Sequence, residues 1–460
     1  MKPVVTFIGA GSFIFARKII VDLLTFEEMH DMELRLMDID SKKLEIIYKL
    51  ALQINKQVGA NINIVAESNR VRAIDGADFV LAMFDPDGLD ARRIEVGVPM
   101  KHGVPQAVGD TLGPGGIFKG IRTSSVLVDI ARDMEVYCPN AWLLNYVNPM
   151  AINCWAVNEL TTIKCIGMCH GLEHTLTRLA KYLGLDGGLE TKAGGINHMC
   201  WLLSLSDNGQ NVYPMLWEKM QMIMEDDPIR GSIMKTFGYF VTESPYHIAE
   251  YLPYFTRRFA DLKVCSEEAG NLNIAMGGWE GYIITPSSGG GGQVEQMIPK
   301  AWDIQLYDGI HGITHRKHME QIASGEPVEI KLSEEYSGRI IHSILTNTPR
   351  RMSLNVENNG FVTNLSQGCV VEVPAYVDGI GIHPEGLGNI PSQCAALCQR
   401  NVDVQSQVIN AIVNRDRQSI LYAMLLDPLT GASLEPLEIE VLFDDLVQSL
   451  GDMLPKWLRN

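Results

Sequence analysis

Strand and helix patterns alternate regularly up to about residue 185, and this alternation limits the possible folds more than any other feature. Short apolar segments are each followed by a longer segment in which apolar residues recur on one helical face. Such alternation is typical of a parallel sheet covered by helices on both faces. The sequence therefore predicts an α/β fold with a Rossmann-type, doubly wound sheet. The predicted strands are Val4–Gly9, Glu33–Ile39, Ile62–Glu67, Asp78–Phe84, Ala141–Val147 and Cys165–His170, and the predicted helices are Phe13–Phe26, Ser41–Val58, Lys119–Tyr137, Met150–Leu160 and Leu172–Leu183.

A glycine turn, Gly9-Ala10-Gly11, separates the first predicted strand from the first predicted helix. Glycines at this point let a dinucleotide pyrophosphate approach the backbone and the helix N-terminus. Ile14 stands where the usual fingerprint has a third glycine. Asp38 ends the second predicted strand, where its carboxylate can accept hydrogen bonds from a ribose and would repel a 2′-phosphate. The pattern favours an NAD site over an NADP site, and the alternative is an ordinary tight turn.

Polar side chains follow the fifth and sixth predicted strands. Asn148 precedes a proline that opens the next helix, so its simplest role is that of a helix cap. Cys169 and His170 end the sixth strand, and His198 follows in a Gly-Gly-Ile-Asn-His segment. A thiolate with one or two imidazoles is a partial metal site, with too few ligands for structural zinc and with positions left for substrate oxygens. The alternative is an inert buried cysteine and ordinary histidines.

A run rich in glycine and proline, Gly109–Gly116, contains the single acidic residue Asp110. This composition is typical either of a shaped active-site loop or of an ordinary surface loop.

Composition excludes several classes of function. The formal net charge is −17, and no basic cluster is present, so we expect no nucleic-acid partner. No apolar stretch is long enough to span a membrane, and no signal peptide is recognisable at the N-terminus. Nine cysteines, an odd number, are typical of reduced thiols. We therefore expect a cytoplasmic protein that has no membrane partner.

The length of 460 residues is too great for one compact core and predicts two domains. We place an NAD-binding, Rossmann-like domain at residues 1–171. A mixed α+β domain at residues 172–460 would then carry substrate, metal and oligomer contacts. In that second part, Gly194–Leu205 has strand character, and Ala395–Asn414 and Glu440–Leu454 have helical patterns.

Taken together, these motifs resemble glycoside hydrolase family 4, the glycosidases that depend on NAD and a divalent metal. The resemblance covers nearly the whole chain, and the runs from Asp110 to Ile117 and from Asn145 to Met150 look most like the α-galactosidase (melibiase) subgroup. The motifs that carry it are Phe7–Ser12, Leu36–Asp40, Asp110–Ile117, Leu144–Met150, Cys169-His170, Gly195–Met199, Gln367–Pro374 and Met424–Pro428.

The resemblance also implies roles for individual residues. Cys169 and His198 are the implied ligands of Mn²⁺ or another divalent metal. The implied NAD contacts are Gly9, Gly11, Ser12, Phe13, Asp38 and Asn148. The implied substrate contacts are Asn148, Asp110 and Arg92. The candidates for the base at sugar C2 are His247 and Tyr246. The candidates for the acid that assists departure of the leaving group are His170, Asp110 and Glu243.

The implied reaction hydrolyses α-glycosides, above all α-galactosides, by a route that does not use the usual pair of carboxylates. NAD oxidises sugar C3, the metal polarises the resulting ketone, and a base removes the C2 proton. The C1 leaving group is then eliminated, water adds, and NADH returns the hydride. The sugar is the expected small-molecule partner, and we expect a homodimer or homotetramer.

Several features leave other substrates open. The triplet Cys169-His170-Gly171 is similar to that of family members that cleave uronic acids, and Arg350 with Arg351 could pair with a C6 carboxylate. The alternatives are an α-hexuronidase (α-galacturonidase or α-glucuronidase) or an α-glucosidase of the same family. A more distant alternative is an NAD-dependent dehydrogenase of the malate or lactate type.

Overall fold

The computed structural model describes residues 2–106, 108–255, 317, 321–322 and 324–459. Within these ranges one large mixed sheet forms the centre of the molecule. No helix in the described part is long and apolar enough to cross a membrane. The cysteines in the same ranges are all buried and free.

The sheet has a parallel half followed by an antiparallel half. Its order is β3-β2-β1-β4-β5-β6-β10-β11-β7-β8-β9, with β12 paired to β11. Strands β1 to β6 are parallel and have the order of a Rossmann fold, which confirms the predicted fold class. The strands are β1 (Val4–Ile8), β2 (Glu33–Met37), β3 (Asn63–Glu67), β4 (Phe79–Ala82), β5 (Trp142–Asn145), β6 (Lys164–Gly167), β7 (Glu190–Ile196), β8 (Met199–Asp207), β9 (Gln210–Asn211), β10 (Arg350–Glu357), β11 (Val370–Asp378) and β12 (Gly381–Pro384).

The helices of the described part cover the sheet. The predicted helices of the first half are all present, and α3 and α4 were not predicted. The helices are α1 (Phe13–Thr25), α2 (Ser41–Val58), α3 (Arg70–Ile74), α4 (Gly88–Lys101), α5 (Gly113–Tyr137), α6 (Met150–Leu160), α7 (Gly171–Leu183), α8 (Tyr213–Glu218), α9 (Met220–Asp226), α10 (Pro228–Phe237), α11 (Pro245–Tyr251), α12 (Ser337–Thr346), α13 (Ser392–Asn414), α14 (Arg417–Leu426), α15 (Pro428–Ser433), α16 (Pro436–Leu450) and α17 (Lys456–Arg459).

Helix α2 shows how local chemistry sets these bounds. Asp40 caps its first turn, where the side chain accepts the backbone N–H groups of Lys42 and Lys43. Gly59 ends the helix in the left-handed conformation, with φ of 73°. The predicted apolar stripe is buried between these ends, at Leu44, Ile47, Leu50 and Ile54.

The expectation of a loop over Gly109–Gly116 is wrong for its second half, because Gly113–Gly116 forms the first turn of α5. The free N–H groups of this turn have side-chain partners: Gly113 donates to Asp427 at 3.2 Å and Gly115 donates to Gln106 at 2.8 Å. The glycines are required for packing. A Cβ at Gly116 would lie 2.4 Å from the carbonyl carbon of Thr111.

The predicted strand character of Gly194–Leu205 is confirmed, but the segment belongs to two strands. The segment divides into β7 and β8, which pair with each other in antiparallel fashion. Asn197 and His198 form the connection, and His198 has a φ of 63°. The tight turn places His198 at the end of the hairpin.

The sheet continues across the predicted domain boundary. Strand β6 pairs with β10 at Gly167 and Asn355, and β11 pairs with β7 at Glu372 and Gly195. The antiparallel half thereby lies beside the carboxyl end of β6. Cys169, a predicted metal ligand, follows this strand.

We predict that removing one partner of a buried ion pair between α5 and α4 strongly destabilises the protein. Arg122 Nε lies 2.7 Å from Glu95 Oε1, and both side chains are 1% exposed. Arg122→Leu would leave the Glu95 carboxylate buried without this partner and should lower the free energy of unfolding by about 3–5 kcal/mol. The matched control in α5 is Arg132→Leu, which removes an exposed ion pair with Asp129. This change should lower the free energy of unfolding by only about 0–1 kcal/mol. Urea unfolding of both variants measures the difference, and similar small losses would contradict the prediction.

Candidate functional site

The predicted glycine turn lies at the carboxyl edge of the parallel strands. The N–H groups of Gly9 and Ala10 both donate to the carbonyl of Met37, at 3.0 and 2.9 Å. Gly9 has a φ of 85°, and a Cβ there would lie 2.7 Å from the Cβ of Phe84. The N–H of Ser12 donates to the Gly9 carbonyl at 3.0 Å, immediately before α1 begins. The backbone therefore forms a tight cradle at the start of a helix, which suits a pyrophosphate.

Asp38 lies beside this cradle, as predicted. Its Oδ2 accepts the N–H of Gly11 at 2.7 Å, and its Oδ1 accepts the N–H of Asp40 at 2.8 Å. A Cβ at Gly11 would lie 2.7 Å from Asp38 Oδ2, so this position too has room only for glycine. The structure does not describe the side chain of Phe13, a predicted NAD contact, or that of Tyr246, a predicted candidate for the base.

The two predicted metal ligands lie together. Ligand atoms of Cys169, His198 and Glu243 all lie within 4.8 Å of one another, and in the described part of the chain this is the one group of its kind. Cys169 follows β6, His198 lies in the β7–β8 turn, and Glu243 precedes α11. Sequence reasoning named Glu243 only as a candidate acid, because nothing in its local sequence marks a third ligand.

The protonation of these three groups suits a cation. Burial lowers the pKa of His198 to about 4, with a contribution from His247, so the imidazole is neutral and can donate a lone pair. Burial alone would raise the pKa of Glu243, but His198, His247 and other histidines lower it to about 2. Burial and the Glu243 carboxylate hold the pKa of Cys169 well above its usual range. A divalent cation would stabilise the thiolate in this place.

Three predicted residues, Asp110, Asn148 and His247, meet beside this cluster. Asp110 accepts the side-chain N–H of Asn148 at 3.1 Å and the hydroxyl of Thr111 at 2.7 Å. His247 Nε2 lies 3.6 Å from the Asp110 carboxylate, and the His247 ring packs against His198 with a centroid distance of 4.2 Å. Burial would raise the pKa of Asp110, but His247 holds it well below its usual value. Asp110, Asn148 and His247 therefore form a polar surface beside the cluster of Cys169, His198 and Glu243.

The two remaining predicted residues, His170 and Arg92, have other partners than the residues beside Asp110. His170 Nδ1 lies 3.1 Å from Glu335 Oε1. Burial would lower the pKa of His170, but the Glu335 carboxylate raises it to about 9. Arg92 is buried in α4 and donates to the carbonyl of Val108 at 2.7 Å, so its described contact is with the backbone that leads to Asp110.

Glu250 is a residue of this site that sequence reasoning missed. It lies one helical turn after His247 in α11, and its Oε1 accepts the N–H groups of Val108 and Gly109 at 2.6 and 2.7 Å. These two bonds fix the segment that carries Asp110 relative to the helix that carries His247. No local motif marks Glu250, because its partners lie about 140 positions earlier in the chain.

The fold and the site define an α/β protein in which a glycine turn that suits a dinucleotide lies along the same edge of the parallel strands as a cluster with the ligand types and spacing of a metal site. Residues 4–185 match the family 4 glycosyl hydrolases, and residues 193–430 match the C-terminal domain of that family. The chain belongs to glycosyl hydrolase family 4, and it is therefore a glycosidase that hydrolyses O-glycosyl bonds. This assignment decides against a dehydrogenase of the malate or lactate type.

Individual relatives refine the comparison. An α-galactosidase of Bacillus subtilis (strain 168) is 35% identical over 98% of this chain and 99% of its own length. An α-galacturonidase of Thermoanaerobacter italicus is 24% identical over 98% of this chain and 97% of its own length. The structure of a 6-phospho-α-glucosidase from gut microorganisms, in complex with NAD and Mn²⁺, is similar with a TM-score of 0.79. It is 19% identical and covers 99% of each chain, which confirms the fold.

We predict that Glu250 makes the protein less stable as the pH rises from acidic to neutral values. Burial, the main cause, raises the pKa of this carboxyl from 4.5 to about 7. The folded protein then binds more protons than the unfolded chain between these values, so its stability falls as pH rises through them. Glu250→Gln mimics the protonated carboxyl and keeps an oxygen for both N–H groups. The free energy of unfolding of Glu250→Gln minus that of the unmodified protein should be about 2 kcal/mol larger at pH 8 than at pH 5.

Urea unfolding in metal-free buffer at several pH values measures this difference. A gain that does not change with pH would contradict the prediction.

Proposed function

We propose that the protein is an α-galactosidase that uses NAD and a divalent cation such as Mn²⁺. The observation that carries the proposal is that the Gly9–Gly11 cradle and Cys169 both follow strands at the carboxyl edge of the parallel half of the sheet, and that His198 and Glu243 lie beside Cys169. The α-galactosidase relative supports the substrate, and the structural neighbour solved with NAD and Mn²⁺ supports the cofactors.

The residues at the cradle fit a dinucleotide. Gly9 and Gly11 leave room for a pyrophosphate, and the first turn of α1 has backbone N–H groups that helical bonding leaves free. The Asp38 carboxylate lies where a ribose would bind and would repel a 2′-phosphate, which favours NAD over NADP. Ser12, Phe13 and Asn148 remain proposed contacts of the cofactor.

When bound, NAD would remove and return a hydride at sugar C3, while the cation would polarise the oxygens at C2 and C3. Cys169 and His198 would hold the cation. His247 is our proposed acceptor of the C2 proton, because its ring lies against His198. Its Nδ1 lies 3.0 Å from the Ser244 hydroxyl, so its Nε2 faces Asp110 and the cluster. Tyr246 remains the alternative base.

Asp110 and Asn148 are our proposed ligands of sugar hydroxyls, with Arg92 as a further candidate. Because its pKa is held well below the usual value, Asp110 suits hydrogen-bond acceptance better than proton donation. His170 is the remaining proposed acid for the leaving group.

Charge favours a neutral sugar over a uronic acid. Ionised carboxylates lie in and beside the cluster, and they would repel a substrate carboxylate. The two arginines that could pair with a C6 carboxylate have other partners. Arg350 donates to Ser343 at 2.8 Å, and Arg351 pairs with Glu385. The carboxylates concerned are Asp110 and Glu243, whose pKa values are lowered.

We predict that p-nitrophenyl α-galactoside is hydrolysed in the presence of NAD, Mn²⁺ and a thiol reductant. The corresponding α-glucoside and α-galacturonide should be cleaved with lower kcat/KM. Release of p-nitrophenol at saturating cofactor gives the three values. Hydrolysis that persists after complete removal of NAD would exclude the proposed chemistry, and preferred cleavage of the galacturonide would reassign the substrate.

We predict that His247→Gln lowers kcat by about 10²- to 10⁴-fold, the usual contribution of a general base. With an α-galactoside deuterated at C2, the unmodified enzyme should release galactose that has lost the label to water. The variant should lose the label more slowly. Tyr246→Phe is the matched control, and a larger loss in that variant would assign the base to Tyr246.

A further inference from the structure

We infer that Glu243 is a third protein ligand of the cation, and that Gly171 admits its carboxylate to the site. The inference rests on the proposed function, since it concerns how this chain binds the cation that its chemistry would use. The Glu243 carboxylate and the vacant side-chain position of Gly171 occupy the same place.

The three ligand atoms are spaced for a single ion. Glu243 Oε2 lies 3.4 Å from Cys169 Sγ, and all ligand atoms of the cluster lie within 4.8 Å of one another. Two ligands at about 2.1–2.3 Å from one cation can lie up to about 4.5 Å apart. Shifts of a few tenths of an ångström would therefore let all three bind one cation.

Gly171 is the structural condition for this arrangement. A Cβ at this position would lie 1.7 Å from Glu243 Oε2 and 2.7 Å from its carboxyl carbon. The required property is the absence of a side chain, because Gly171 opens α7 with ordinary helical backbone. Its N–H also lies 3.4 Å from Cys169 Sγ, where it can donate to the sulfur. A side chain at 171 and the carboxylate of Glu243 cannot both occupy this site.

The backbone holds Glu243 and His198 in fixed relation to each other. Thr242, the residue before Glu243, donates its N–H to the carbonyl of Cys200 at 2.9 Å. The N–H of Cys200 in turn donates to the Thr242 hydroxyl at 3.1 Å. Cys200 lies two residues after His198, and the guanidinium of Arg230 donates to the Glu243 carbonyl. The ligands are therefore arranged before a cation binds, which reduces the ordering that binding requires.

The preference of Mn²⁺ and Mg²⁺ for oxygen ligands explains why a carboxylate would be needed here. A thiolate is softer than the ligands that Mn²⁺ or Mg²⁺ usually prefer, whereas a carboxylate oxygen suits both ions. Glu243 would therefore supply the hard, anionic ligand that Cys169 and His198 do not provide. Three protein ligands still leave positions for sugar oxygens. Cation binding should then need neither the sugar nor the dinucleotide.

The first test measures Mn²⁺ binding directly. The full-length protein is freed of metal with a chelator, and free Mn²⁺ is followed by EPR during titration without NAD or sugar. Glu243→Gln should weaken binding at least about tenfold. The matched control is Glu372→Gln, the same change at a buried carboxyl group that accepts the Ser353 hydroxyl at 3.1 Å. The Mn²⁺ affinity of this control should stay within about threefold of that of the unmodified protein. Equal affinities of Glu243→Gln and the unmodified protein, or equal losses in both variants, would overturn the inference.

The second test is a double-mutant cycle. Gly171→Ala should weaken Mn²⁺ binding in the unmodified protein, because the new methyl group displaces the carboxylate. In a Glu243→Ala background the same change should have no further effect, since the space is then free. Independent, additive losses would contradict the shared position. Circular dichroism and thermal unfolding of each variant check that the fold is retained.

Cys169→Ser separates this inference from the proposed function. If the unmodified protein binds no Mn²⁺ without NAD and sugar but its hydrolysis of the α-galactoside depends on Mn²⁺, the inference is overturned and the proposed function stands. If hydrolysis does not depend on a divalent cation, the proposed function is itself in error. If Cys169→Ser abolishes binding while Glu243→Gln binds normally, the proposed function stands and the role of Glu243 as a ligand is excluded. Lower activity of Glu243→Gln at normal Mn²⁺ affinity would assign Glu243 to catalysis instead.

Discussion

The site depends on one geometric constraint: all strands of the parallel half end at the same edge of the sheet. The residues that follow β1, β2, β5 and β6 therefore lie along this one edge although they are far apart in the chain. This edge brings together the Gly9 cradle, Asp38, Asn148 and Cys169. A parallel sheet alone would offer a dinucleotide site and one sulfur. The antiparallel half, joined through β10 at the β6 side, adds the β7–β8 hairpin with His198 and the segment with Glu243.

Charge distribution is the second determinant of the site. Several carboxylates are buried close to one another, and burial alone would favour their protonated forms. Histidines lower the pKa of Glu243 and Asp110, whereas Glu250 and Glu372 have raised pKa values of about 7 and about 8, for which burial is the main cause. Negative charge is thus concentrated on the groups that face the cluster. Such an interior attracts a divalent cation and disfavours an anionic sugar, which links metal binding to substrate choice.

The site is also held by residues that take no part in the proposed chemistry. Glu250 fixes the segment before Asp110, and the N-terminal turn of α5 packs so closely that Gly116 cannot carry a side chain. Precise placement of an oriented carboxylate and an imidazole requires such support, because small displacements of reacting groups reduce catalysis strongly. The glycines of this region serve packing as much as flexibility.

The sequence alone determined the features that depend on neighbouring residues. Apolar periodicity predicted β1 to β6, the glycine turn predicted the cradle, and local motifs marked Cys169, His198 and Asp110 as site residues. Only the tertiary structure decided that Gly113–Gly116 is helical, that the β7–β8 hairpin turns at His198, and that Glu243 and Glu250 belong to the site. The physical reason is the range of the interactions. Periodicity and turn chemistry act over a few residues, whereas the partners of Gly113, Glu243 and Glu250 come from distant segments that approach only when the sheet has formed.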